Sequence, residues 1–287
     1  MADALADFTE RSFTHDGTTH RVFGAGAGPA VIVIHEMPGI TPPVAAFARR
    51  VRDAGFSVRM PSLFGEPGRP MSTGYVLKSL RQGCVAKEFV TLALDRTSPA
   101  IGWLRALAAD AHAECGGPGV GAVGMCFTGG FALGMMIDDI MLAPVLSQPS
   151  LPFPVSPARR RAVGISNDDL ARVKARAENG ACLMGLRFTK DVAVPEDRFD
   201  TLRRELGDAF LAVEIDSSKG NAHEHRAVEA EERAGGGRGH AVLTGAGLRD
   251  DALLAHVALS AFLLPRHHDR ARPGLRARAG RRSRRAR

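Results

Sequence analysis

Cys126 stands in Val120-Gly-Ala-Val-Gly-Met-Cys126-Phe-Thr-Gly-Gly130, where a short apolar run ends in Gly-x-Cys and passes into the apolar segment Phe131 to Ile137. A strand, a sharp turn and a helix are predicted, with a thiol on the turn. Such an elbow strains the backbone, lifts the side chain out of the sheet, and aims the following amide and the helix N-terminus at the same spot. A thiol there is expected to be held partly as thiolate beside an oxyanion site. An acid and a histidine follow. Asp191 lies in Thr189-Lys-Asp191-Val-Ala-Val-Pro195, after a run ending at Phe188, and His240 lies in Gly239-His-Ala-Val-Leu-Thr244, a loop ahead of the last predicted helix. A carboxylate that orients an imidazole, and an imidazole that takes the thiol proton, make nucleophilic acyl transfer the chemistry to expect.

The elements needed to position these groups alternate between strand and helix. Val31 to Ile34 is an unbroken β-branched run, as in a strand covered on both faces. Pro43 to Ala54 carries Val44, Phe47, Ala48 and Val51 at helical spacing, and Phe56 to Met60 reads as the next strand. Helices are predicted over Ser79 to Leu94, Pro99 to Glu114, Asn167 to Ala177, Pro195 to Leu206 and Asp250 to Leu264, with strands at Ala181 to Phe188 and Ala209 to Ile215. This alternation implies an α/β fold, a mostly parallel central sheet with helices on both faces, whose sites form at the C-terminal strand ends.

The chain resembles the dienelactone hydrolase family of α/β-hydrolases over roughly residues 20 to 265. The resemblance is carried by Val31-Ile-Val-Ile-His-Glu36-Met-Pro-Gly39, Gly124-Met-Cys126-Phe-Thr-Gly-Gly130 and Arg187-Phe-Thr-Lys-Asp191-Val-Ala-Val-Pro195. It implies Cys126 as nucleophile, Asp191 and His240 completing a triad, Glu36 in contact with the resting thiol, and the amides of Met37 and Phe127 as the oxyanion hole. It further implies hydrolysis of a small ester or lactone bearing a carboxylate, through a thioester, with no metal or organic cofactor and in a setting of aromatic-compound breakdown. Two other readings stand beside this one: a general carboxylesterase or thioesterase with the same triad, and a non-catalytic or redox-sensing relative.

Each assignment has a structural competitor. Cys84, Cys115 and Cys182 read as small buried hydrophobes. Asp191 is also placed to cap the helix near Pro195, Glu36 to be satisfied by local amides, and His35 to serve a structural role. His223 and His225 rival His240, but His223-Glu-His225 lacks the spacing that puts two imidazoles on one helix face, so no metal site is expected. Thr128 stands where an elbow usually has glycine, which places the local geometry in question. Arg81 and Arg96 are candidates for holding a substrate carboxylate, although no motif selects either.

The formal charge of +7 is unevenly placed: residues 266–287 hold ten arginines against one acid, a net +9, which leaves the rest at −2. Residues 1–265 are expected to form one hydrolase domain with an insertion-like polar loop at about 217–239, followed by an Arg-rich, disordered tail. The tail lacks interleaved aromatics, so nucleic acid is not an expected partner. No apolar stretch approaches membrane-span length, and the first residues have no basic and apolar leader pattern, so a cytoplasmic monomer or homodimer acting on a small molecule is expected.

Overall fold

The computed structural model describes residues 4–85, 88, 89, 92–216 and 240–243, the last four by backbone. Their strands form one nine-stranded sheet in the order β1-β2-β4-β3-β5-β6-β7-β8-β9. The hairpin β1 (Thr9–His15) and β2 (Thr18–Ala25) turns at Asp16-Gly17, both at positive φ, and packs β2 antiparallel on β4. Neither of its strands is among the predicted elements. The remaining pairs are parallel.

The parallel part begins with β3 (Ala30–Ile34), α1 (Pro42–Asp53) and β4 (Ser57–Ser62). It continues through α2 (Thr73–Val85), α3 (Pro99–Cys115), β5 (Val120–Met125), the short α4 (Phe131–Met135) and β6 (Met141–Ser147). The one-turn α5 (Pro157–Arg161), α6 (Asn167–Glu178), β7 (Leu183–Phe188), α7 (Glu196–Leu206), β8 (Phe210–Ile215) and β9 (His240–Leu243) follow. The helix predicted over Ser79 to Leu94 instead starts at Thr73 and ends at Val85. Leu77, Leu92 and Leu94 are exposed, so their apolar spacing marks no buried face.

Side chains of β3 alternate between two cores, as the two-residue period of a strand requires. Ile32 and Ile34 join Leu104, Leu107, Leu133, Val173 and Phe199 from α3, α4, α6 and α7; Val31 and Val33 join Phe47 and Val51 of α1 on the other face. Burial on both faces explains the unbroken apolar runs of β3 and β5. Among the described residues, no helix is long and apolar enough to cross a membrane. The polar loop expected at about 217–239, the helix predicted over Asp250 to Leu264 and the arginine-rich 266–287 segment lie outside the described residues.

Candidate active site

β5 runs straight into the turn that carries Cys126. The residue sits at φ 51°, a left-handed conformation that costs a non-glycine residue about 1–3 kcal/mol and is retained where surrounding contacts impose it. Those contacts can be named. A Cβ on Gly124 would come 2.4 Å from the Thr128 carbonyl, and one on Gly129 would come 2.6 Å from Pro149 Cα and 2.7 Å from the Ser147 carbonyl. The close approach that glycine normally permits two residues after the nucleophile is therefore made one residue later, at Gly129.

Thr128 fits because its hydroxyl has work at that point. It is fully buried, accepts the Met125 amide at 3.2 Å, and lies 3.0 Å from the His35 carbonyl and 3.2 Å from that of Ile34, to which it can donate. The end of β3 and the nucleophile turn are thus joined through one side chain. His35 supports the same loop from below. Its Nε2 accepts the Leu63 amide at 3.1 Å, which leaves Nδ1 to donate to the Glu36 carbonyl at 2.9 Å, and burial pushes its pKa down to about 4. His35 is a neutral strut, in keeping with its structural reading.

Two carboxylates act on the thiol from strand ends on either side of β5. Glu36 follows β3, and Asp191 follows β7 in a buried turn where its Oδ1 accepts the Ala193 amide at 2.9 Å. The N-cap of α7 is Pro195, so Asp191 does not cap that helix. Burial first, and the negative charges of Glu36 and Asp191 with it, raise the Cys126 pKa to about 11, while hydrogen bonds from Ser150 and the Phe127 amide pull the other way. The expectation of a resting thiolate is corrected by this balance: desolvation disfavours the anion, and two nearby carboxylates repel it. Glu36→Gln removes one of those charges and should lower the thiol pKa. Iodoacetamide labelling of Cys126 at pH 8 should then run several-fold faster than in the unaltered protein; equal or slower labelling would show that Glu36 does not act on the thiol.

The register places His240 at the first position of β9, in one row with Ala212, Gly185, Leu146 and Gly124. It is therefore a strand residue rather than a loop residue. Four strand spacings of about 4.8 Å put its backbone about 19 Å across the sheet from β5. Its side chain, together with His223 and His225, lies outside the described residues. β8 ends at the same edge as β5, and the chain leaves it into the segment that carries His223 and His225.

Sequence reasoning passed over the loop after β6. Ser150 is buried, its amide donates to the Cys126 carbonyl at 3.1 Å, and its Oγ lies 3.9 Å from Cys126 Sγ. Arg198 of α7, fully buried, holds this loop: its guanidinium donates to the carbonyls of Pro149, Pro152 (2.6 Å), Arg159 (3.1 Å) and Ala162 (2.8 Å). Burial pulls its pKa down to about 10, which leaves it charged at neutral pH. No short-range pattern marks either residue. Arg81 and Arg96 are both exposed; Arg96 borders a small cavity with Phe89, Phe131 and Leu151. Cys182 is exposed and Cys115 only half-buried, against the expectation that both are buried.

A parallel sheet with a strained strand-to-helix elbow, carrying its nucleophile-type residue at the C-terminal edge, defines the α/β-hydrolase fold. The family model of the dienelactone hydrolase family matches residues 21–236, and the chain belongs to that family. No curated protein matches the chain. Among solved structures, a dienelactone hydrolase-like promiscuous phosphotriesterase from metagenomic libraries is 16% identical, with a TM-score of 0.55 over 90% of this chain and 98% of that one. A protein provisionally named a dienelactone hydrolase, from Klebsiella pneumoniae subsp. pneumoniae MGH 78578, is 19% identical, with a TM-score of 0.53 over 75% of this chain and 87% of that one. At such identities the likeness speaks for the fold, and the family match makes the chain a hydrolase-family protein with a small-molecule type of substrate.

Proposed function

We propose that the protein is a cysteine hydrolase that opens small esters or lactones, with carboxylate-bearing dienelactones as the leading substrate class. The observation that carries this reading is a thiol on a strained elbow, with two carboxylates from the ends of β3 and β7 close enough to raise its pKa. Substrate entering beside Glu36 displaces the carboxylate from the thiol and lets it accept the thiol proton, so the thiolate forms in the complex rather than at rest. The thiolate attacks the ester carbonyl, and the amides of Met37 and Phe127 bind the resulting oxyanion. Collapse breaks the ester C–O bond, the leaving oxygen takes through the imidazole the proton that Glu36 accepted from the thiol, and a thioester remains. Water activated by the same imidazole then hydrolyses it, with Asp191 holding the ring.

His240 is the proposed base by its order in the chain; because β9 sets its backbone about 19 Å across the sheet from β5, His223 and His225, which follow β8 in sequence, compete for the role. Alanine variants of the three separate them. One should lose about 10³-fold or more in kcat/KM toward a short p-nitrophenyl ester. Loss in H240A supports the assignment, loss in H223A or H225A moves the base there, and no loss in any of them removes the triad.

The exposure of Arg81 and Arg96 favours a second reading, an esterase of neutral substrates. Comparing kcat/KM for a carboxylate-bearing lactone and a neutral ester decides between the two. A redox-sensing role fits less well, because sensor thiols are low in pKa and this one is raised.

A further inference from the structure

We propose that Ser150 is a further catalytic-site residue, the hydroxyl partner of the nucleophilic sulfur, and that Arg198 is the positioning residue that keeps it there. The proposal rests on the reading of Cys126 as the nucleophile.

Geometry supports it at three levels. The Oγ of Ser150 lies 3.9 Å from Sγ, and the side chain is buried. The backbone around it is locked to the elbow: the amides of Gly129 and Ser150 share the Cys126 carbonyl at 2.9 and 3.1 Å, and the elbow packs so closely on Pro149 that only glycine fits at position 129. The loop itself is tied down from its other side, because the Gln148 amide reaches the Leu186 carbonyl of β7 at 2.8 Å and Arg198 gathers the carbonyls of Pro149 and Pro152 on both flanks of Ser150.

A hydroxyl is suited to this position because it both donates and accepts. While Cys126 is a thiol, its S–H can donate to Ser150 Oγ. Once the proton has gone, Ser150 can turn its O–H toward the sulfur and donate to the thiolate. Among the described residues that act on the sulfur, no other group has that dual capacity. Glu36 from the β3 loop and Asp191 from the β7 loop oppose the anion, the Phe127 amide from the elbow only donates, and His35 behind Glu36 is a neutral strut. The side chains of His223, His225 and His240 lie outside the described residues. Ser150 therefore counteracts the two carboxylates at the moment the sulfur becomes charged, and fixes the direction in which the lone pair points.

The test is the pH profile of iodoacetamide alkylation of the full-length protein, followed on the Cys126 peptide by mass spectrometry so that the other cysteines do not interfere. In Ser150→Ala the backbone contacts remain and only the hydroxyl is lost. The alkylation midpoint should move up by at least about half a pH unit, roughly a threefold loss of thiolate at neutral pH. Ser150→Thr, which restores a hydroxyl, should bring it back. Should the alanine variant fold poorly, Ser150→Gly removes the same hydroxyl and gives the same readout. With a p-nitrophenyl ester, kcat should fall while KM stays near its original value. A midpoint unmoved in both hydroxyl-free variants overturns the proposal, and so does a shift in Ser150→Thr equal to that in Ser150→Ala. Alkylation needs no ester turnover, so a shifted midpoint in a protein that hydrolyses no ester supports the Ser150 pairing and removes the hydrolase reading. An unmoved midpoint in an active enzyme does the reverse.

Discussion

Cys126→Ala should reduce turnover of a short p-nitrophenyl ester by about 10⁴-fold or more, with p-nitrophenol release as the measurement. The size of the loss follows from the chain of groups that depend on the sulfur. Glu36 and Asp191 carry charge toward Cys126 that has no catalytic use once the thiol is absent, and the strained φ of 51° at the elbow is maintained for a side chain that no longer reacts. The amides proposed for the oxyanion still bind a carbonyl, so KM should change far less than kcat. Activity within tenfold of the unaltered enzyme would show that the ester is cleaved without Cys126 and would remove the thioester mechanism altogether.

Arg198→Met should destabilise the fold by about 3 kcal/mol or more, read as a lower urea midpoint with an unchanged denaturant slope. Methionine approximates the length of the side chain but offers no donor. The carbonyls of Pro149, Pro152, Arg159 and Ala162 would lose their buried donor together, and each unsatisfied acceptor costs about 1–3 kcal/mol before relaxation. Lysine is not a substitute, since a single ammonium cannot span acceptors that the planar guanidinium reaches through three nitrogens. A shift below about 1 kcal/mol would mean that the loop after β6 holds its path without the guanidinium.

Legibility in the sequence followed the range of the forces involved. β3 and β5 were readable because burial on both faces produces continuous apolar runs, and β7 and β8 because each is apolar but for one charged residue, Arg187 or Glu214. β6 was not, because Pro144 in its middle mimics a break, although Ala122 of β5 pairs with that very residue. The first hairpin announced itself only through Asp16-Gly17, a turn signal without strong apolar alternation in the exposed strand β1. In the site, Cys126, Glu36 and Asp191 were legible because each ends or follows a strand at the same edge. Ser150 and Arg198 were not, since their importance arises from contacts that bring residues 48 positions apart into one cluster. Thr128 misled for a related reason: local pattern raised a steric objection, whereas the tertiary fold moved the tight spot to Gly129 and gave the hydroxyl three carbonyls and an amide to meet.

Arg198 grips the loop after β6 through main-chain oxygens alone, which every amino acid possesses. That grip is therefore independent of which side chains stand at those four positions. The inward face of the loop is not free in the same way, because Leu151 is buried in the core and Phe153 packs on Phe127. Val155, exposed on the same segment, can be exchanged while the scaffold under Cys126 keeps its shape.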